Sequence, residues 1–175
     1  GFGRQLIAHE LAHQWFGDKV TCGAWNDIWI NEGFATFGEH LINEKLLMSA
    51  SQFQSYLQEE IDYITQSPSG SVYVPENQLS FYRIFDGRLS YSKAGYVVRM
   101  LKLKMGDQAF YDMLKAYHQQ PQFEHGYAKT TTFLAFLNAY TGQDFTEFMN
   151  DWIYGEGYPT YTIRWNQSED NSNLV

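Results

Sequence analysis

Thiol chemistry is almost missing from this sequence, since Cys22 is the one cysteine in 175 residues. An internal disulfide and a cysteine-built zinc cluster are both excluded. Cys22 itself reads as a small, partly buried apolar residue. Basic side chains are also scarce, 12 against 20 acidic ones, giving a formal net charge of −8 and a pI near 5.0. No basic patch stands out, so nucleic acid is a poor candidate partner. An acidic surface of this kind speaks chiefly for solubility. No apolar run reaches membrane-spanning length, and no signal peptide opens the chain. The sequence begins abruptly inside a helical pattern, GFGRQLIAHELAH, and is expected to be a piece of a longer protein. Its cellular address therefore stays open. What it does have is apolar mass: 44% of residues are hydrophobic and 18% aromatic, ample for a packed core. The length suits one domain of ordinary size.

The periodicity is mainly helical. Residues 4–15 carry a helical pattern that stops at Gly17-Asp18. TCGAWND reads as a connection, and a second helix is expected over 30–47, with Phe34, Phe37 and Leu41 on one face and Glu32, Thr36, Glu39 and Asn43 on the other. A third helix fits 50–66, closed by Ser67-Pro68-Ser69-Gly70. Residues 67–88 form the longest irregular stretch, and connections of that length are often functional. A fourth helix is expected to end at Gly106, with Asp107 as the N-cap of the next and Pro121 beyond its end. TTTFLAFLNAYTG and DFTEFMNDWIYG read as two further short helices. The alternation of residues 160–165, TYTIRW, predicts a strand.

The chemistry concentrates in HELAH, residues 9–13. Positions i and i+4 share a helix face, so His9 and His13 can aim their imidazoles at one point. Zinc accepts such nitrogens at roughly 2.0–2.1 Å and, in catalytic sites, takes a third protein ligand. Glu10 lies about 100° further round the helix, off the metal yet near its open side, where a general base belongs. Roughly one chain in a hundred of this composition would carry the motif by chance, so the bland alternative is a surface helix with two solvated histidines. A third ligand decides between them. The metzincin pattern of a glycine and a third histidine fails, because Phe16 and Lys19 stand in those places. A carboxylate from the second helix remains, and Glu32 follows His13 with eighteen residues between them. By itself, the stripe Glu32, Thr36, Glu39, Asn43 would read as a wetted face.

HELAHQWFGDKVT followed by WNDIWINEGFATF resembles the aminopeptidase-N family of zinc peptidases, the gluzincin group that also includes leukotriene hydrolase. The family pattern is His-Glu-x-x-His, eighteen residues, then Glu, and Ile30 here replaces the usual leucine. YSKAGYVVRML (91–101) resembles the family's Tyr-x-Lys-Gly-Ala segment, with Ala94-Gly95 in reversed order, and WIYGEGYP (152–159) resembles its closing Trp…Gly-x-Pro element. The resemblance implies a mainly α fold, the helical part of a thermolysin-like zinc peptidase catalytic domain. Residues 1–157 would be the zinc helix and helical lobe, and residues 158–175 a linker or the start of a following β domain. It implies one zinc ion (Zn2+) held by His9, His13 and Glu32, Glu10 as general base, and Tyr91 as hydrogen-bond donor to the transition state. The implied substrates are peptides with a free N-terminus.

Asp27, Glu39 and Thr36 are candidates to accept the second nitrogen of a ligating histidine. His40, His118 and His125 lack ligand spacing and read as structural or exposed. The aromatics of 81–96 could line a pocket or fill the core. The Gly-x-Met-Glu-Asn segment with which the family reads a substrate amine is not among these residues. The resemblance therefore implies partner domains on both sides, an isolated chain of uncertain activity, and an apolar face on the zinc helix that favours self-association. Two rival readings stand beside it: epoxide opening at the same site, and a helical zinc-binding or pseudo-peptidase module that acts through protein contacts.

Overall fold

A computed structural model of the protein describes residues 2–165. Among them, eight α-helices carry the architecture: α1 (Phe2–Ala12), α2 (Trp29–Ile42), α3 (Ala50–Thr65), α4 (Phe81–Ile84), α5 (Ala94–Met105), α6 (Asp107–His118), α7 (Thr130–Thr141) and α8 (Thr146–Met149). Wider, π-type turns extend α2 over Asn43–Leu47, precede α5 over Gly87–Lys93 and follow α8 over Asn150–Tyr154. Two three-residue strands, β1 (Val20–Cys22) and β2 (Gly126–Ala128), pair in parallel, with Val20 opposite Gly126 and Cys22 opposite Ala128. The fold is mainly α, as the periodicity predicts.

Helix α2 is the centre of the packing. Trp29, Ile30, Phe34, Ala35 and Phe37 are buried, and so are the polar Glu32, Thr36 and His40. The face that would read as wetted from the stripe alone is therefore largely covered, by α1 and the Gly87–Lys93 turn, while α5 packs along the same helix. Small residues allow these approaches. A methyl on Gly38 would lie 2.9 Å from the Ala12 Cβ of α1, and one on Gly95 of α5 would lie 2.7 Å from the Thr36 Cγ2. Ala94 meets Gly33 in the same way, at 2.8 Å from an added Cβ. Both residues of the Ala94-Gly95 pair face α2, and in this order the glycine stands where a Cβ would crowd Thr36.

Aromatic rings fill the space below. Trp29, Phe34, Phe110, Tyr117, Phe123 and Phe133 are almost fully buried in one cluster. Burying such a side chain contributes about 1.5–3 kcal/mol, before the opposing entropy. Many of the rings meet edge to face, Trp29–Phe133 and Tyr117–Phe133 among them. Asp27 ties α7 to this core: its Oδ1 accepts from the Thr130 N–H at 2.9 Å and from the Thr130 hydroxyl at 2.7 Å. The Trp29 indole N–H donates to the same Thr130 Oγ1 at 2.8 Å.

Several expected boundaries move. α1 ends at Ala12, three residues before the expected Trp15, because the chain tightens toward Gly17. The irregular stretch 67–88 holds a 3-10 turn at Glu76–Gln78 and the short helix α4, whose N-cap Ser80 accepts from the Arg83 N–H. Asp107 is the first residue of α6 rather than its N-cap, and its carboxylate takes the buried Lys102 ammonium at 2.6 Å instead. Strands β1 and β2 went unforeseen, since three residues are too few for an alternating pattern. Residues 160–165 form no strand and are exposed; β-forming residues need a partner for their backbone groups. The remainder of the expected linker, from 166 on, lies outside the described residues. Leu6, Ile7, Leu11 and Trp15 of the α1 region are exposed, the apolar face that the sequence leads one to expect.

His40 and His118 are buried and His125 is exposed. His40 sits edge-on to Phe37 and Tyr56. Burial, aided by the Arg99 charge, pushes its pKa down to about 3. The folded chain thus resists a proton that the unfolded chain takes up below about pH 6.5. Stability should fall as pH drops through that window, by up to about 1.4 kcal/mol per pH unit for this one group. Urea unfolding of the chain and of His40→Gln at pH 7, 6 and 5 checks this; equal slopes for both proteins would contradict it. Gly95→Val should cost about 1–3 kcal/mol or more by driving α5 from α2, read as a lower urea midpoint. An unchanged midpoint would contradict the close approach.

Candidate metal centre

The site begins with the helical spacing of α1. The His13 N–H still bonds to the His9 carbonyl at 3.2 Å, so the i, i+4 relation survives although α1 formally ends at Ala12. The chain then reverses at Gly17, whose φ of +148° suits glycine. A Cβ there would stand 3.2 Å from the His13 Nδ1, so the turn needs glycine on both counts. The same reversal delivers the Phe16 carbonyl to His13, which donates to it from Nδ1 at 2.9 Å. Helix α2 then presents Glu32 on the side that packs against α1.

Both Nε2 atoms converge on one carboxylate oxygen. His9 Nε2 lies 3.1 Å and His13 Nε2 3.3 Å from the Glu32 Oε2, and the three atoms lie within 4.8 Å of one another. The rings of His9 and His13 are nearly perpendicular, with centroids 4.7 Å apart. On its other side His9 Nδ1 donates to the Glu39 Oε1 at 2.8 Å. Each ring is thus fixed from behind, one by a carboxylate and one by a backbone carbonyl, with both Nε2 atoms turned inward.

The electrostatics follow from this sharing. Burial alone would drive the His9 pKa down, but its hydrogen bonds to Glu32 and Glu39 win and raise it to about 9. For His13, the bond to Glu32 outweighs burial and raises the pKa. Burial would lift Glu32, yet the two imidazoles hold it down to about 2. A buried carboxylate between two imidazole nitrogens is a donor set that a metal cation suits. The donor chemistry fits zinc: nitrogen, nitrogen and carboxylate oxygen. The two nitrogen-to-carboxylate distances fit as well, because tetrahedral ligands at roughly 2.0–2.1 Å stand about 3.3 Å apart. Held second nitrogens are the usual accompaniment of ligating histidines.

Glu10 and Tyr91 border the same cavity of about 450 Å³, together with Gln5, Leu6, Glu39 and the three converging residues. Glu10 is exposed to solvent. Tyr91 comes from the π-type turn before α5, and its ring stacks on that of His9 at 5.9 Å. Burial and the Glu32 charge raise its pKa, so the phenol keeps its proton at neutral pH. All five residues singled out from the sequence therefore meet in one place. Of the three candidate acceptors, Glu39 alone holds a histidine. Asp27 caps α7, and Thr36 is buried against Gly95. The Phe16 carbonyl was missed, because a backbone acceptor leaves no side-chain signal. Of the aromatics in 81–96, Tyr91 reaches this cavity, whereas Phe81 and Tyr82 are exposed.

Comparison with known proteins places the chain in a family. The model of the peptidase family M1 domain matches residues 3–152. Aminopeptidase M1 of Arabidopsis thaliana is 34% identical over 164 residues, covering 91% of this chain and 18% of that protein. Aminopeptidase N of Lactococcus lactis is 32% identical over 163 residues, 88% of this chain and 19% of that protein. The crystal structure of an M1 zinc metallopeptidase from Deinococcus radiodurans superimposes with a TM-score of 0.75 at 30% identity, over 89% of this chain and 34% of that one. A yeast LTA4 hydrolase structure, at 22% identity and a TM-score of 0.71 over 91% of this chain and 27% of that one, shares the fold. The mainly α fold is that of the helical part of an M1 catalytic domain. The chain belongs to peptidase family M1, the aminopeptidase-N family of zinc metallopeptidases. It spans about a fifth of the length of the curated relatives it matches.

Glu39→Gln should lower the affinity of the chain for zinc about 10–100-fold by loosening His9. Competition against a chromophoric chelator measures this, and wild-type affinity in the variant would contradict the role given to Glu39.

Proposed function

We propose that this chain carries the metal-binding and catalytic core of a zinc aminopeptidase. The observation that carries the reading is the convergence of His9 Nε2, His13 Nε2 and Glu32 Oε2 within 4.8 Å, on a cavity that Glu10 and Tyr91 also border. His9, His13 and Glu32 would hold one zinc ion. Bound there, zinc supplies Lewis acidity toward water and the peptide carbonyl.

The remaining steps fall to the side chains. Glu10, on the solvent side of the cavity, takes the proton of the attacking water and delivers it to the leaving amine. The Tyr91 phenol donates a hydrogen bond to the carbonyl oxygen as that oxygen gains charge, a contribution of about 3–4 kcal/mol for a donor of this kind. Glu39 and the Phe16 carbonyl keep the two imidazoles oriented throughout. The substrates of the whole protein are read as peptides with a free amino terminus, on the strength of family membership. Residues 1–157 are read as the zinc helix and helical lobe, and residues 158–175 as a linker or the opening of a further domain.

Metal analysis after zinc loading should find about one ion per chain, lost in His9→Ala and in Glu32→Ala. Glu10→Gln should keep the ion and lower aminoacyl-anilide hydrolysis about 10²–10⁴-fold in the active protein. A Glu10→Gln variant that hydrolyses at the wild-type rate would refute the assignment of the base. Full zinc loading with no hydrolysis by the wild-type full-length protein would favour the pseudo-peptidase reading instead.

A further inference from the structure

Two motif elements have no part in the chemistry above: Lys93, two residues after Tyr91, and the closing segment around Gly157. The structure joins them. Lys93 is 4% exposed, and its ammonium donates to the Gly157 carbonyl at 3.1 Å. Gly157 has a φ of +78°, a conformation that glycine adopts readily and that sets the direction of its backbone. The closing segment is itself anchored on the end of α3 and the chain that follows it. The Glu156 carboxylate accepts from the Gly70 N–H at 3.0 Å, Ser71 pairs with Glu156, and the Tyr158 hydroxyl donates to the Thr65 carbonyl at 2.7 Å. Arg88, within the Gly87–Lys93 turn, donates to the carbonyls of Ile64, Ser67 and Ser69 on that same stretch. The turn that bears Tyr91 is thus tied at its start by Arg88 and at its end by Lys93, to one common support.

We propose that Lys93 is a positioning residue for Tyr91, with the Gly157 carbonyl as the fixed point to which it is tied. The inference rests on the reading of Tyr91 given above. Two residues apart on a helical turn, the side chains project to nearly opposite sides. Tyr91 reaches the metal-site cavity while Lys93 reaches back into the support. Turns of π geometry interrupt regular helix packing and recur at functional sites, so a separate tether for such a turn has a purpose. The charge of Lys93 argues the same way. Burial works against it most, Arg88 opposes it too, and Glu156 favours it. A methionine of similar length would fill this space with no ammonium to desolvate, but it would leave the Gly157 carbonyl without this donor. A lysine in such a place is better explained by the direction of its hydrogen bond than by stability.

The test is a kinetic cycle in the zinc-loaded full-length protein, with Lys93→Met, Tyr91→Phe and the double variant. Lys93→Met should keep KM within about twofold and lose about tenfold in kcat through misplacement of the phenol. In the Tyr91→Phe background the same change should cost nothing further, because the group it positions is gone. A fluorine label on the ring of Tyr91 should give a shifted or broadened resonance in Lys93→Met, with and without zinc. Gly157→Ala, which disfavours the positive φ, should reproduce the kcat loss and the spectral change; it stands in if Lys93→Met does not fold. Wild-type kcat in Lys93→Met, losses that multiply in the double variant, or an unchanged fluorine spectrum would each overturn the inference. If Tyr91→Phe itself keeps wild-type kcat, the reading of Tyr91 falls and this inference falls with it. An impaired Tyr91→Phe beside an unimpaired Lys93→Met removes the inference alone.

Discussion

A carboxylate placed between two imidazoles is the constraint around which this chain is arranged. Glu32 is buried, yet its oxygen is met by His9 and His13 at 3.1 and 3.3 Å. An unpaired buried carboxylate would cost several kcal/mol, so α1 and α2 must approach closely enough for the histidines to reach it. Gly38 against Ala12 permits that approach. The arrangement extends outward through Glu39, which holds His9, and through the Gly17 turn, which brings the Phe16 carbonyl to His13. The aromatic core and the Gly95–Thr36 contact keep α2 in place from the other side. Helix packing and site geometry are therefore one problem, solved with small residues at the crossings and large rings below them.

That coupling explains what was legible in the sequence. His9, Glu10 and His13 declare themselves because helical spacing converts sequence distance directly into position. Glu32 does not, since eighteen intervening residues can fold in many ways. It became readable through its spacing from the histidine pair and the surrounding WINEGFATF segment rather than through periodicity. Its helix even argued the opposite: the stripe Glu32, Thr36, Glu39, Asn43 matches a solvated face, whereas the structure buries Glu32, Thr36 and Asn43 and half-buries Glu39. Periodicity reports which residues share a side, not what covers that side.

The remaining differences have local causes. Asp107 looked like a cap, but the buried Lys102 ammonium claims its carboxylate. Asp27 was a candidate partner for a metal histidine, and it caps α7 through a contact more than a hundred residues away in sequence. The alternation of residues 160–165 predicted a strand, yet no neighbour among the described residues offers it an edge. Strands β1 and β2 formed where three residues each found a partner across the fold. For Asp27 and for the two strands, a long-range contact decided what a short pattern could not.

The central claim is that two imidazole nitrogens and one carboxylate oxygen of this chain surround a single zinc ion. Zinc-edge X-ray absorption of the loaded protein tests it most directly. The account predicts two imidazole ligands with oxygen completing a shell at roughly 2.0–2.2 Å, and loss of one oxygen-type ligand or of the metal itself in Glu32→Ala. An all-oxygen shell without imidazole scattering, or a spectrum unmoved by Glu32→Ala, would contradict it.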